Sequence, residues 1–309
     1  MPQITTHCGV GSPEEYRDYA RVAGEAGFQI LKKGGSALDA VEAAVVIMED
    51  DDHLNAGTGS RMRLNGKIQM DAALMDSELR SGAVAAIEFV RNPIRVARKV
   101  METPHLLLVG EDATAFARHR GFRLYNPATS AAKAHLEEAL RALRKKDLPP
   151  QAKSWANFAW KDTVGAVAMD KKGGYAVACS TGGTQFMLPG RVGDTPIVGA
   201  GLYAGPKGGV TATGIGEEII RRVLSKAVYD WIAQGKSPQS AVQAGVDLYP
   251  EEVPIGLVAL SKGKVGVAAN RTMASWNSSV PLLPPKKPSV PLTSPKKRSV
   301  HSTTPKKRR

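Results

Sequence analysis

The sequence predicts an α+β layered sandwich, on three observations. Apolar residues make up 42% of the 309 positions, enough for a sizeable core and too many for wholesale disorder. Strand-like and helix-like segments are mixed without the regular alternation of a doubly wound parallel sheet. The texture also changes at residue 163, where charged helical patterns give way to two short apolar runs separated by a turn.

The elements follow in order. Residues 3–8 are a short strand candidate. Ser12-Pro13-Glu14-Glu15 reads as an N-cap, a proline at N1 and a capping-box glutamate, opening a helix that runs to about residue 33 and stops at Gly34-Gly35. Ser36 caps a second helix over 37–49, with Leu38, Val41, Ala44, Val45 and Met48 as its buried stripe. Residues 61–71 alternate loosely around Asn65-Gly66, a hairpin signal. Asn92-Pro93 opens a helix to residue 101, 106–109 reads as a short buried strand, and 111–120 and 129–147 read as helices. Residues 163–170 and 175–181 form a strand pair about a turn at 171–174. A glycine-rich stretch follows, then one long helix over 217–234, a helix from Ser237-Pro238, and a hairpin of 254–260 with 264–269.

The net charge of +13 is concentrated at one end. Nine lysines and arginines and no acid lie in 274–309, and without them residues 1–273 carry only +4. Pro-Lys-Lys recurs at 285–287, 295–297 and 305–307 in a segment with few large apolar side chains. Such a segment cannot offset its ordering entropy by burial, so residues 277–309 are expected to be a disordered basic tail. The tail reads either as a phosphate-binding arm or nuclear-import-like patch, or as a solvated extension without a role. The second reading is preferred because the body does not continue the basic stripe. Two cysteines, Cys8 and Cys179, exclude a disulfide scaffold and a zinc ribbon. No apolar run approaches the roughly 18 residues of a bilayer span, and residues 1–4 do not read as a secretory signal. The expectation is a reducing, cytoplasmic setting with no membrane partner.

Chemistry concentrates at a few places. With the turn at 170–174, Met169 faces Tyr175 and Thr163 falls opposite Thr181, with Cβ atoms about 5 Å apart. Threonine pairs are also ordinary strand chemistry. Residues 190–196 set Arg191 and Asp194 among glycines, and such a pair complements the carboxylate and ammonium of an amino acid, or forms a local salt bridge. Thr213-Gly214-Ile215-Gly216 runs into a helix, where backbone N–H groups attract an oxyanion. It is not a P-loop, since no lysine follows the glycines. Residues 55–60, starting with Asn55, form a glycine-rich turn suited to a support loop or an oxygen-ligand cation site. The six histidines show no metal spacing, there is no Gly-x-Ser-x-Gly elbow, and His7 and Cys8 point to opposite faces of a strand. Zinc and serine-hydrolase chemistry are therefore set aside, and no metal ligand is firmly assigned.

Taken together, these residues resemble the plant-type asparaginase/isoaspartyl peptidase family of N-terminal nucleophile hydrolases. The resemblance spans roughly residues 3–276. It rests on 7–11, 35–41, Asn55–Ser60, Met70-Asp71-Ala72, 92–98 and 162–168 (Asp-Thr-Val-Gly-Ala-Val-Ala). It rests further on Ser180-Thr181-Gly182-Gly183, 190–196 (Gly-Arg-Val-Gly-Asp-Thr-Pro), 199–204 and 213–217. It implies a four-layer αββα sandwich made as a precursor that cleaves itself between Asp162 and Thr163. The products would be an α chain of 1–162 and a β chain whose folded part is 163–276, assembling as an (αβ)2 heterotetramer. It also implies that Thr163 attacks the side-chain amide of L-asparagine or the isopeptide carbonyl of a β-aspartyl dipeptide. Thr181 would support the nucleophile, and Thr213 and Gly214 would form the oxyanion site. Arg191, Asp194, Gly214 and Gly216 would bind substrate, and Asn55 would position the nucleophile. No cofactor is required, though relatives imply a structural sodium ion near 52–60.

The implied chemistry is physically sound. A threonine hydroxyl needs a nearby base, and a freed α-amine with a pKa near ~7.7–8.0 supplies one only after cleavage. Three departures stand out. The usual His-Gly-Gly is His7-Cys8-Gly9 with Val10 fourth, which bears on the processing rate; the linker before Thr163 is short; and the basic tail has no counterpart. Two alternatives are carried: a glycosylasparaginase-type hydrolase, against which Gly182 speaks, and a nucleic-acid-associated protein acting through 281–309 with an inert body.

Overall fold

The computed structural model describes residues 1–144, 163–184 and 187–279. Asp162, the end of the 129–147 helix and nearly all of the basic tail lie outside the described residues. In chain order the first half holds β1 (Gln3–Val10), α1 (Arg17–Lys32), α2 (Ala37–Asp50), β2 (Met70–Asp76), β3 (Ser81–Ile87), α3 (Pro93–Val100), β4 (Leu107–Val109), α4 (Gly110–His119) and α5 (Ser130–Arg144). The second half holds β5 (Val164–Met169), β6 (Tyr175–Thr181), β7 (Leu202–Gly205), β8 (Gly208–Gly214), α6 (Gly216–Arg222), α7 (Leu224–Ala233), α8 (Pro238–Val246), β9 (Ile255–Ser261), β10 (Lys264–Ala269) and β11 (Met273–Asn277).

The strands form a seven-stranded sheet, β11-β1-β5-β6-β2-β3-β4, and a four-stranded sheet, β10-β9-β8-β7. All pairs are antiparallel except β3 with β4. The mixed α/β class is as expected. Alternation along each strand divides three apolar clusters. Val164, Ala166 and Ala168 of β5 and Ala176 and Ala178 of β6 face the first-half helices. Val167, Met169, Tyr175, Val177 and Cys179 face the other way, against Leu202, Ala204, Val258 and Leu260 of the four-stranded sheet. Val210, Ala212, Leu257 and Ala259 pack against the second-half helices.

Several expectations hold. Ser36 caps α2 by accepting from the Asp39 amide (3.1 Å), and its expected stripe is buried. Pro93 begins α3, and Ser237 caps α8. Others are corrected. The Ser12 hydroxyl does not cap a helix: it donates to the Gly9 carbonyl and accepts from the Ala274 amide, tying β1 to β11. A 3-10 turn at Glu14–Tyr16 leads into α1 instead. Asn65-Gly66 is a turn closed by Arg63 N–H to Lys67 O, but no ladder flanks it among the described residues. The strand at 107–109 is an exposed edge, not buried. The long helix breaks at Val223 (φ 47°, ψ 49°). The glycine-rich stretch expected as a loop carries the hairpin β7–β8, and strands β3 and β11 were not expected. Asn277 pairs with Thr5, and Ser278 N–H donates to Ile4 O, so described structure runs past 276.

Ser180 shares the helix-facing side of β6 with Ala178, and there it meets Glu49 at the end of α2. Glu49 Oε1 accepts from Ser180 Oγ (2.7 Å) and the Ile94 amide (3.0 Å), while Oε2 is buried without a partner. Burial pushes this carboxyl up to about 8, against the favourable Ser180 and Ile94 hydrogen bonds. The unfolded chain ionises it near 4.5, so its presence makes stability fall as pH rises from about 4.5 to about 8. Glu49→Gln removes that loss. Thermal melts at several pH values should show the variant gaining on wild type between pH 5 and 8 and by no further amount above 8. A constant difference across that range would contradict the assignment.

Candidate active site

The expected register is the observed one. Met169 pairs with Tyr175 and Val164 with Ser180, which carries Thr163 opposite Thr181 at the open end of the central β5–β6 pair. By alternation, Thr163 follows Gly165 and Val167, and Thr181 follows Cys179 and Val177, so both hydroxyls face the space between the sheets. Both residues are buried. The Thr163 hydroxyl lies 3.4 Å from that of Thr195. Thr181 Oγ1 accepts from the Gly183 amide (3.0 Å), which leaves its proton to donate.

Thr213 enters from the opposite sheet. Val210 and Ala212 face the second-half helices, so Thr211 and Thr213 face the first sheet. Thr211 Oγ1 lies 3.4 Å from His7 Nε2, and Thr213 Oγ1 accepts from the Val10 amide at 3.2 Å. The fully buried His7 is held down at about 3 by desolvation, a neutral strut between the sheets. Burial pushes Cys8 up to about 12 and raises Cys179 well above the usual thiol range, so neither is a nucleophile at neutral pH. Thr213 and Gly214 close β8, and the chain runs on through Ile215, the N-cap residue of α6, so the two lie directly before a helix start. Gly214 takes φ 143°, and a Cβ there would meet the Pro254 carbonyl at 2.2 Å.

Arg191, Asp194 and Gly216 are brought together. A Cβ on Gly216 would lie 2.9 Å from Asp194 Oδ1 and 3.0 Å from Arg191 Nη2, so only glycine leaves both heads open. Asp194 is buried with Oδ2 unpartnered. Burial pushes it up to about 7, although the Arg191 charge opposes this. A buried carboxylate with an open oxygen fits an incoming ammonium. Arg191 pairs with Glu217 through Nε–Oε1 (2.8 Å) and Nη2–Oε2 (2.7 Å). Burial works against its charge, and the Glu217 pair outweighs that and raises its pKa.

Asn55 acts as a staple. Its Nδ2 donates to the Gly183 carbonyl, its Oδ1 accepts from the Arg61 amide (3.3 Å), and its own carbonyl accepts from the Gly182 amide (2.9 Å). The segment that carries Thr181 is thus fixed from the 55–60 turn. In that turn, a Cβ on Gly59 would meet the carbonyl oxygens of Leu54 (1.9 Å) and Asp52 (2.9 Å), so two oxygen donors converge there. The Asp51, Asp52 and His53 side chains also cluster, at the surface.

Two residues that lie in motifs of the resemblance were given no role from sequence. Glu217 holds Arg191, and its position in the first turn after Gly216 was the available signal. Asp71 pairs with Thr181 across β2–β6, faces between the sheets, and is fully buried. Its Oδ1 accepts from the Ala86 amide (2.7 Å) and Oδ2 from the Gly193 amide (3.4 Å), which couples the strand pair to the Arg191–Asp194 loop. Asp71→Asn can accept only one of these bonds without turning its NH2 toward the other amide. It should cost about 1–3 kcal/mol in urea unfolding and speed exchange of the Gly193 amide. Unchanged exchange at Gly193 would show that the loop is held by other contacts.

A family profile described as asparaginase matches residues 3–280. The plant-type L-asparaginase of Pyrococcus abyssi is 41% identical over 298 residues, covering 89% of this chain and 95% of the relative. The isoaspartyl peptidase/L-asparaginase of Mus musculus is 41% identical over 267 residues, covering 84% and 78%. The N(4)-(beta-N-acetylglucosaminyl)-L-asparaginase of Elizabethkingia miricola is 38% identical over 248 residues, covering 76% and 71%.

Proposed function

This chain belongs to the asparaginase family, and on that premise we propose that it is an autoprocessing hydrolase that converts L-asparagine to L-aspartate and ammonia and cleaves β-aspartyl dipeptides. The observation that carries the reading is the pairing of Thr163 and Thr181, facing between the sheets, with a buried Asp194 oxygen left unpartnered beside Arg191. Cleavage between Asp162 and Thr163 frees the Thr163 amine, which takes the proton of the Thr163 hydroxyl as that oxygen attacks the side-chain carbonyl. Thr181 donates its proton toward the attacking oxygen. Thr213 and Gly214 stabilise the tetrahedral oxyanion, and Thr213 is free to donate because the bond it makes to Val10 is accepted. Arg191 takes the substrate carboxylate, Asp194 the ammonium with Gly216 beside it, and Asn55 keeps the 181–183 segment in place. Loss of ammonia or of the leaving amino acid gives a β-aspartyl ester at Thr163, and water releases aspartate.

The same reading extends to the frame. The three apolar clusters support a four-layer αββα sandwich. Chains 1–162 and 163–309, their pairing as an (αβ)2 heterotetramer and a cytoplasmic setting follow from the proposed family chemistry. Among the described residues no helix is long and apolar enough to cross a membrane. A structural sodium ion at 52–60 would take the converging Asp52 and Leu54 carbonyls and stiffen the turn that carries Asn55. Hydrolysis of N4-glycosylated asparagine is the second reading, favoured by the Elizabethkingia relative. The basic tail is assigned no part in turnover, so deleting 281–309 should spare hydrolysis and remove any salt-sensitive nucleic-acid binding.

Intact mass under denaturing conditions tests the reading first. Two species matching 1–162 and 163–309 are expected, and Thr163→Ala should give one uncleaved species without turnover. Efficient hydrolysis by uncleaved protein would sink the mechanism. A second test is pH. Ammonium capture needs Asp194 ionised, so KM for asparagine should rise about tenfold per unit as pH falls below about 7. Asp194→Asn should raise KM and abolish that limb; an identical limb in the variant would assign it elsewhere.

A further inference from the structure

Arg63 has no role in the mechanism above, yet it is the largest fully buried side chain of the described structure. A buried guanidinium without a counter-ion is costly, and burial lowers this one only to about 10, so it keeps its charge at neutral pH. Nη2 donates to the Gln69 carbonyl (2.9 Å) and Nη1 to the Met187 sulfur, while Nε has no partner. Among the described residues no carboxylate forms an ion pair with it. The acids whose charge reaches it are engaged elsewhere: Glu88 with Gln69 and Lys67, and Asp71 with the Ala86 and Gly193 amides.

Its position relates it to the site. Arg63 Nη1 lies 2.8 Å from where a Cβ of Gly183 would be, and the Gly183 amide is the one that binds the Thr181 hydroxyl. The Met187 sulfur that accepts from Arg63 is also 3.9 Å from Arg191 Nη1. One thioether therefore stands between two guanidinium groups. Sulfur is a weak acceptor on an unbranched, adaptable side chain, so a carboxylate that displaced it would exchange a poor partner for a charge-assisted one. Arg191 is already committed to Glu217 and to the substrate carboxylate, and Arg63 is not. The two substrate classes differ at this point. Ammonia leaves asparagine without a charge to bind, whereas the amino acid leaving a β-aspartyl dipeptide carries a carboxylate.

We propose that Arg63, with the Met187 thioether as its replaceable neighbour, is the subsite for the carboxylate of the leaving amino acid. It makes the chain select β-aspartyl peptides with a free C-terminal carboxylate. The proposal rests on the hydrolase reading above and adds the leaving-group side to it.

The test compares three substrates on the processed full-length protein: L-asparagine, β-L-aspartyl-L-leucine and the C-terminal amide of that dipeptide. Wild type should favour the acid over the amide at least tenfold in kcat/KM, mainly through KM. Arg63→Met should bring that ratio close to one and cost the acid at least tenfold more than it costs asparagine. Arg63→Lys should retain part of the preference. Equal use of acid and amide by wild type overturns the subsite without any variant, so a poorly folding Arg63→Met cannot protect it. A uniform loss on all three substrates in the variant also overturns it and makes Arg63 a packing residue. Failure of wild type to hydrolyse any of the three overturns the reading of the site, and the subsite with it.

Discussion

The register of β5 against β6 is the constraint on which the rest of the site depends. These strands lie at the centre of the seven-stranded sheet, each paired on both sides. A slip of one residue in β5 would turn Thr163 toward the helix-facing side and bring Val164 into the space between the sheets, leaving Thr181 without its partner. The register is fixed by burial on two faces at once. Alanines fill the helix-facing side, and valine, methionine, tyrosine and cysteine fill the other. It then propagates sideways: Thr181 pairs with Asp71, and Asp71 binds the Gly193 amide next to Asp194. The threonine pair and the Arg191–Asp194 loop are thus positioned by one strand register and the Asp71 side chain that extends from it.

Desolvation is the second common thread. Asp71, Asp194, Glu49 and Arg63 are all ionisable and fully or nearly fully buried, and each has an atom either bound by backbone amides or left without a partner. A stability argument alone would replace such groups with apolar ones. They divide by how they are satisfied. Asp71 has two amide donors and serves as a strut, and Glu49 is satisfied on one oxygen and is pushed toward its neutral form. Asp194 and Arg63 each keep a buried polar atom without a partner among the described residues.

Much of this was legible in the sequence where a local rule is strong. A five-residue turn and two alternating runs were enough to place Thr163 opposite Thr181. The Ser36 cap with Asp39, and Pro93 at a helix start, are one-turn signals that tertiary contacts had no reason to override. Where residues far apart in sequence decide, local reading failed. Ser12 looks like a cap, but Ala274 competes for its hydroxyl from β11. Strands β7 and β8 are glycine-rich and carry little propensity; β7 is set by pairing with β8, and β8 by pairing with β9. Asp71 and Arg63 gave no sign of burial, because acids and arginines are ordinarily read as surface residues.

The break at Val223 shows how such a long-range demand is met. A helix running unbroken from 216 to 233 fits the sequence better, since a valine in the left-handed region costs roughly 1–3 kcal/mol. The turn there brings the Lys226 amide to the Gly199 carbonyl (2.8 Å) and the Ser225 amide to the Ala200 carbonyl (3.2 Å). The Gly201 amide binds back to the Asp194 carbonyl, and its own carbonyl accepts from Ala212 on β8. The break therefore docks α7 onto the segment that follows Asp194 while leaving α6 free to take its own direction. That direction brings Gly216 against Asp194 and Glu217 onto Arg191. A straight helix could satisfy one end or the other, and the strained residue is what allows both.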